Sequence, residues 1–444
     1  MSIGAQTAAA AGRALIIAAL AVGLAARLSP WMASRSGRER TLAWALLLAP
    51  FFTPSLLISY AFAKFALALV VSPWSHEALY IGVLALKMMP VAVILRRHLP
   101  SPLSPEALQI YRMHGHSMWR ERMIFRLRGA GDGPWITGGL VFLLAFSDFE
   151  LASLWSIHTW TIAIFDAQIG GLALADTLRL AALPCGIALG IVSWMTLRSR
   201  QLAFAPAAGR PMRDRWPWWY LGLSAFGVTF MPLAIVLVQA ITGLRSLVEN
   251  FVLGPEIGAS LALAVTATIL ADIGVRLVRQ NRMATILAVA PGLIGALSIS
   301  LVVLAIFQMP GLHPAYDTPL PLALTLGILL LPLAVLLGAL RPRHTPALHV
   351  ARQLGSRRLL WELETRPHLI GCALLFCWAY FDFTAASILA PVGVTPVFVR
   401  LHNLAHYGQT AVLSAMMLAA FATPILVLLL TGAALHLYAR RDGR

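Results

Sequence analysis

LPLALTLGILLLPLAVLLGAL, residues 320–340, is a nearly continuous apolar run without one charged side chain. Its length matches the ~20 residues that an α-helix needs to cross the hydrocarbon core of a bilayer. Runs of the same kind recur at Gly12–Leu28, Thr41–Val71, Ala78–Leu95, Pro134–Trp155, Thr177–Leu197, Trp218–Ala240, Ile257–Val275, Met283–Gln308, His368–Ala390 and Ala411–Leu437. They predict an all-α, polytopic membrane protein of eleven transmembrane helices. The count rises to twelve if Thr41–Val71, interrupted by Pro50 and Pro54, is two; that run reads as one broken helix or as a helix plus a re-entrant piece. Composition agrees, with 59% hydrophobic and 12% charged residues and a mean hydropathy of +0.78, above the range of soluble domains. The first run has no basic segment before it and no small-residue cleavage pattern after it, so it reads as an uncleaved span.

The formal net charge of +16 is explained by where the basic residues lie. They concentrate at Arg35–Arg40, Arg96–Arg128, Arg198–Arg215, Arg276–Arg282, Arg341–Arg366 and Arg440–Arg444. These segments alternate with Ser72–Glu77, Ser156–Asp176, Leu244–Glu256 and Pro310–Thr318, which hold acids and little positive charge. The positive-inside rule makes the basic set cytoplasmic, with an extracytoplasmic N-terminus and a cytoplasmic C-terminus. Nucleic acid is excluded as a partner, because the patches lie on separate loops and carry no stacking platform.

No metal site is expected. Cys185, Cys372 and Cys377 lie in apolar runs, and Cys372 and Cys377, five residues apart on one helix, face different ways. His114 and His116 on a loop lack a third ligand. No catalytic set gathers, and the only lysines, Lys64 and Lys87, sit in apolar runs without the glycine-rich loop that holds nucleotide phosphates. The chain is therefore expected to be no enzyme and to hold no cofactor.

Two motifs occur twice. EALQIYRMHG (106–115) is matched by PALHVARQLG (346–355), and AFSDFELAS (145–153) by AYFDFTAAS (379–387). Six spans separate the copies, so they share one orientation, a parallel duplication and not an inverted one. The first loop motif follows Ser104-Pro105 and the second opens on the proline of Thr345-Pro346, helix-start signals offset by one residue, and each ends on a glycine that permits a sharp turn. The expected unit is helix, glycine, helix. As amphipathic helices these segments either lie among lipid headgroups or dock on a partner with two equivalent sockets.

Glu106, Ala107, Gly115 and Trp119, followed by a span ending in Phe-x-Asp-Phe, resemble the EAA loop of binding-protein-dependent ABC importer permeases, and Ala347 and Gly355 resemble its second copy. The likeness is closest to fused permeases of the ferric-iron type. It implies a first permease half at 1–200 with five spans and an EAA-like loop at 98–133, a cytoplasmic linker at 201–215, and a second half at 216–444 with six spans and a loop at 341–366. It further implies a bacterial inner-membrane location, membrane lipid around the spans, two cytoplasmic nucleotide-binding subunits that carry the ATP and Mg, and an extracytoplasmic solute-binding protein. Transport would proceed by alternating access, with ferric iron as the implied cargo; thiamine, sulfate, phosphonate and polyamine use related permeases. Pro346 stands where the first copy has Glu106.

Asp148, Glu150 and Asp382 lie inside apolar runs, where an uncompensated charge costs about 2.5–3.5 kcal/mol at the bilayer centre. They either face a translocation pathway and its gate or accept hydrogen bonds that fix packing. Val394–Gly408, the most polar extracytoplasmic stretch, reads as a solvated loop, with contact to the binding protein or an arriving anion as its other role. A transporter driven by protons or sodium, with Asp148 and Asp382 as carriers, is the competing class. The parallel repeat and the expected absence of broken helices with facing half-helix ends count against it.

The asymmetry of the two loops gives the first prediction. A carboxylate in the first turn favours the positive end of the helix dipole and can meet an arginine of a docked subunit. Glu106→Ala is expected to weaken capture of the ATPase subunit more than Pro346→Ala, with a deficit that shrinks as salt screens the wild-type contact. Pull-down across a salt series measures this, and equal retention by both variants leaves Glu106 only its helix-start role.

Overall fold

The computed structural model describes residues 2–99, 113, 131–198, 214–250, 253–340, 346–355, 357–405, 408 and 410–441. These form helices and their connections, with no strand among the described residues. In chain order, α1 (Ile3–Ala33) leads to α2 (Gly37–Phe52), α3 (Ser55–Ala68), α4 (Pro73–His98), α5 (Gly133–Phe146), the short α6 (Glu150–Leu154), α7 (Trp160–Ile169) and α8 (Leu174–Arg198). Then α9 (Trp216–Ala225) continues through a π-turn into α10 (Met231–Asn250). A similar succession follows: α11 (Gly254–Val278), α12 (Arg282–Ile294), α13 (Ala296–Phe307), α14 (Leu320–Leu340), α15 (Pro346–Gln353), α16 (Arg357–Leu360), α17 (Arg366–Tyr380), the short α18 (Thr384–Leu389), α19 (Val397–Ala405) and α20 (Ala411–Arg441).

Eight helices among the described residues are long and apolar enough to cross a membrane, ten if each of two bent pairs counts as one span. The expected run 368–390 is outside that count and is parted at Phe381–Phe383 into α17 and α18. Only helices and closed barrels satisfy backbone polar groups in hydrocarbon, and these apolar sequences take the first route.

Two apolar runs are bent, one of them the run 41–71 read above as a broken helix or a helix plus a re-entrant piece. α2 and α3 meet at 73° around Thr53–Pro54, where proline removes a donor, and α12 and α13 meet at 106°. The second break turns on Gly295, whose φ of 114° and ψ of 149° are open only to glycine. A Cβ there would also lie 2.6 Å from that of Ser147.

By packing, the chain divides into two compact units that interleave in sequence: 1–51, 72–146 and 186–229 in one, and 52–71, 147–185 and 230–444 in the other. They do not coincide with the two halves 1–200 and 216–444. In the first unit α1 packs on α4 and α5, and α4 on α5. Arg13 of α1 grips Glu77 of α4 through two bonds of 2.7 and 2.6 Å. At the other end of α1, the Trp31 indole donates to the Asp214 carbonyl at 3.2 Å and meets Trp218 edge-on. In the second unit α11 packs on α14 and α17, and α14 on α17. Arg400 of α19 pairs with Glu256 of α11. Each of these contacts joins segments that charge alternation assigns to the same side of the membrane.

Exposure separates helices with protein on most sides from those that face lipid. A membrane-length window of α4 is 67% buried, against 28% for α8, whose Leu183, Leu189 and Leu197 are exposed. Large contiguous apolar surfaces of this kind belong in hydrocarbon and not in water.

Gly295→Ala is expected to lower stability by about 1–3 kcal/mol from backbone strain alone. Gly258→Ala in α11, whose added Cβ meets nothing within 4 Å, should leave it unchanged or slightly raised. Denaturant unfolding in mixed micelles compares them, and equal stabilities would show that the break does not depend on the glycine.

Candidate functional site

The intramembrane acids occupy two helix breaks of the same form. α5 ends at Phe146 and α6 starts at Glu150; α17 ends at Tyr380 and α18 starts at Thr384. The phenylalanine before each short helix has nearly the same backbone, φ −120° and ψ −43° at Phe149, φ −106° and ψ −37° at Phe383. The aspartate before it caps the helix: Asp148 Oδ2 accepts from the Ala152 amide at 3.3 Å, and Asp382 Oδ2 from the Ala385 amide at 2.9 Å. A helix start leaves amides without internal partners, and a carboxylate is suited to take one of them.

Both breaks lie in the second compact unit, and there they meet. Phe149 stacks on Phe383, with centroids 5.7 Å apart and planes at 15°. Glu150 Oε1 accepts from the Phe383 amide at 3.2 Å. Its charge is also within electrostatic reach of Asp382. Asp382, far from Glu150 in sequence, is therefore brought beside it. The Glu150–Phe383 bond has no mirror image, since Thr384 stands where Glu150 would be.

Neighbouring elements hold the junction. α3 packs on α6 and α13 on α18, so the second arm of each bent pair supports one break. Trp155 donates its indole N–H to the Ser59 carbonyl of α3 at 3.1 Å, and Thr161 its hydroxyl to the Asp148 carbonyl at 2.9 Å. Tyr60 and Ser414 share a hydrogen bond of 2.9 Å, and Ser414 donates to Gln239 at the same distance.

Val394–Gly408 is corrected from a solvated loop to a packed helix over most of its length. Val397, Phe398 and Leu401 of α19 are buried, an apolar face that the polar composition conceals. His402, 5% exposed, stacks on Phe383 with centroids 4.0 Å apart and lies 3.3 Å from the Ser153 hydroxyl. Asn403 stays exposed, while His406 and Tyr407 lie outside the described residues.

Of the residues expected to couple to a partner, Glu106, Ala107, Gly115 and Trp119 lie outside the described residues, as do His114 and His116. The second loop is described from 346 to 355 and from 357 onward. α15 runs from Pro346 and contains Ala347; it buries Leu348 and Ala351 and exposes His349, Val350, Arg352 and Gln353. Gly355, with φ of 60°, turns the chain after it, and a Cβ there would meet nothing within 4 Å. Arg352 spans the turn to Glu364 at 2.8 Å.

Sequence reasoning paired the cysteines only with one another and missed a grouping across helices. Cys372 of α17 lies beside His368, one turn earlier, and Asp272 of α11. The His-x-x-x-Cys spacing was the available signal.

Glu150→Ala is expected to destabilise the protein by about 1–3 kcal/mol, because the Phe383 amide loses an acceptor. Glu150→Gln keeps a carbonyl oxygen there and should lose less. Unfolding in mixed micelles ranks them; equal losses would assign the effect to charge and not to the bond across the breaks.

Family models, curated proteins and solved structures were compared with the chain, and none matches.

Proposed function

We propose that this chain is the membrane-spanning permease of an ATP-driven importer, built from two parallel copies of one helical plan. The succession of long helix, bent pair, long helix, cytoplasmic loop, interrupted helix, short helix and closing helix supports the duplication, as do the matching triangles of α1, α4, α5 and of α11, α14, α17. The paired breaks add a local likeness down to the capping aspartates. The second copy carries one helix more, α9–α10, at its start.

The observation that carries the functional reading is the loop of α15 and Gly355. An eight-residue helix with exposed Val350, followed by exposed Leu354 and a glycine turn, presents an apolar and basic surface. Its sequence is matched at 106–115, so a partner meets two such loops. On this reading two soluble ATPase subunits dock there, bind ATP and Mg, and draw the loops together; the helices after them, α5 and α17, then reorient the pathway. Solute arrives on an extracytoplasmic binding protein and leaves to the cytoplasm of a bacterial cell whose inner membrane holds the chain. Ferric iron is the cargo the resemblance favours, with thiamine, sulfate, phosphonate and polyamine as the related set.

An ion-coupled secondary transporter is the second reading, and the two bent pairs together with the neighbouring acids Glu150 and Asp382 favour it more than the sequence alone did. Co-purification separates the two, since a permease brings a soluble ATPase with it and its transport follows ATP, while an ion-coupled carrier follows the gradient.

Gly355→Val provides the sharper test. A β-branched residue at φ of 60° is strained by about 1–2 kcal/mol, and the strain falls on the loop and not on a span. The variant should insert normally and retain ATPase capture but lose most transport per ATP hydrolysed in proteoliposomes. Normal coupling in both Gly355→Val and Gly115→Val would remove the loops from the mechanism.

A further inference from the structure

Asp272, His368 and Cys372 bring three different donor atoms together, an oxygen, a nitrogen and a sulfur, all within 4.8 Å of one another. His368 and Cys372 are one turn apart on α17 and share a face. Asp272 comes from α11, which packs against that face. The Cys372 thiol is within reach of a long hydrogen bond to His368, whereas the His368–Asp272 separation is too long for one. His368 Nε2 is 3.8 Å from Asp272 Oδ1 and 3.8 Å from Cys372 Sγ. A nitrogen–oxygen hydrogen bond would be about 2.7–3.2 Å. Donors arranged at the corners of a tetrahedron, with ligand bonds averaging about 2.2 Å, stand about 3.5 Å apart. The two separations from His368 are close to that spacing, and the third, between Asp272 and Cys372, is within 4.8 Å.

Two further features fit. Arg276 grips the other carboxylate oxygen, Asp272 Oδ2, at 2.6 Å, which fixes the carboxylate with Oδ1 toward His368; outer partners of this kind orient metal ligands. His368 and Asp272 are 28% and 23% exposed, so an ion and a completing water can reach them. We propose that Asp272, His368 and Cys372 bind a divalent transition-metal ion of the zinc type. Imidazole and thiolate select such an ion over magnesium or calcium, which take oxygen ligands, and equally over a hard ferric cargo. Binding exchanges the thiol proton for the metal and releases it to solvent. The ion would staple α11 to α17 at the base of the second cytoplasmic loop, independently of what the chain transports.

Cobalt(II) is the probe, added to tag-free, full-length protein in detergent after chelator treatment. The expected result is about one ion per chain with the ultraviolet charge-transfer absorption of a thiolate ligand. Zinc should displace it, Cys377→Ser should retain it, and Cys372→Ser should abolish it. Asp272→Asn should weaken binding roughly tenfold or more. A second readout needs no variant: zinc should slow alkylation of Cys372, mapped by mass spectrometry, while Cys185 and Cys377 react as before. The proposal is overturned if the unmodified chain gives no thiolate absorption at excess cobalt, or if that absorption survives in Cys372→Ser.

Discussion

A helix that breaks inside an apolar layer must supply a partner for every amide and carbonyl it releases, because hydrocarbon supplies none. Much of the second compact unit is organised around that requirement. Asp148 and Asp382 take amides of the helices they precede, Glu150 takes the Phe383 amide, and Thr161 satisfies the Asp148 carbonyl. Charged residues that look costly in an apolar sequence are here acceptors at the points where the backbone lacks one. Stacking of Phe149 on Phe383 adds an apolar contact between the two breaks.

The spans were legible because uncharged runs of membrane length have few other uses, and the second loop because proline and glycine mark the two ends of its helix. The pairing of the two breaks was legible only as a repeated motif. Nothing in local sequence says that Glu150 reaches an amide 233 residues away. The bend at Gly295 was hidden for a different reason: glycine is common in membrane helices, and a dihedral angle is not written in its letter. Composition misled at α19, where His402 and Asn403 suggested solvent although Val397, Phe398 and Leu401 turn one face inward. Asp272, His368 and Cys372 escaped because one of the three comes from another helix.

The contacts that tie helix ends together have a shared logic. In one compact unit Arg13 pairs with Glu77, Asp132 with Arg198, and Trp31 bonds the Asp214 carbonyl; in the other Glu256 pairs with Arg400. Lipid offers no hydrophobic drive for one apolar helix to prefer another, so packing and polar contacts must select neighbours. Placing charged pairs near the ends, where headgroups and water lower the desolvation penalty, selects neighbours at less expense than an ion pair at mid-depth.

The one-sided bond from Glu150 has a consequence for how such a chain can change over time. Two identical subunits must keep one self-complementary surface, since each substitution appears on both sides of the axis. Under the duplication proposed above, a single polypeptide is released from that rule. Thr384 is free to differ from Glu150, and Pro346 from Glu106, without a second copy of the change elsewhere. Fusion thereby lets one half specialise in gripping the junction while the other is selected for some separate task, a division of labour closed to a symmetric pair.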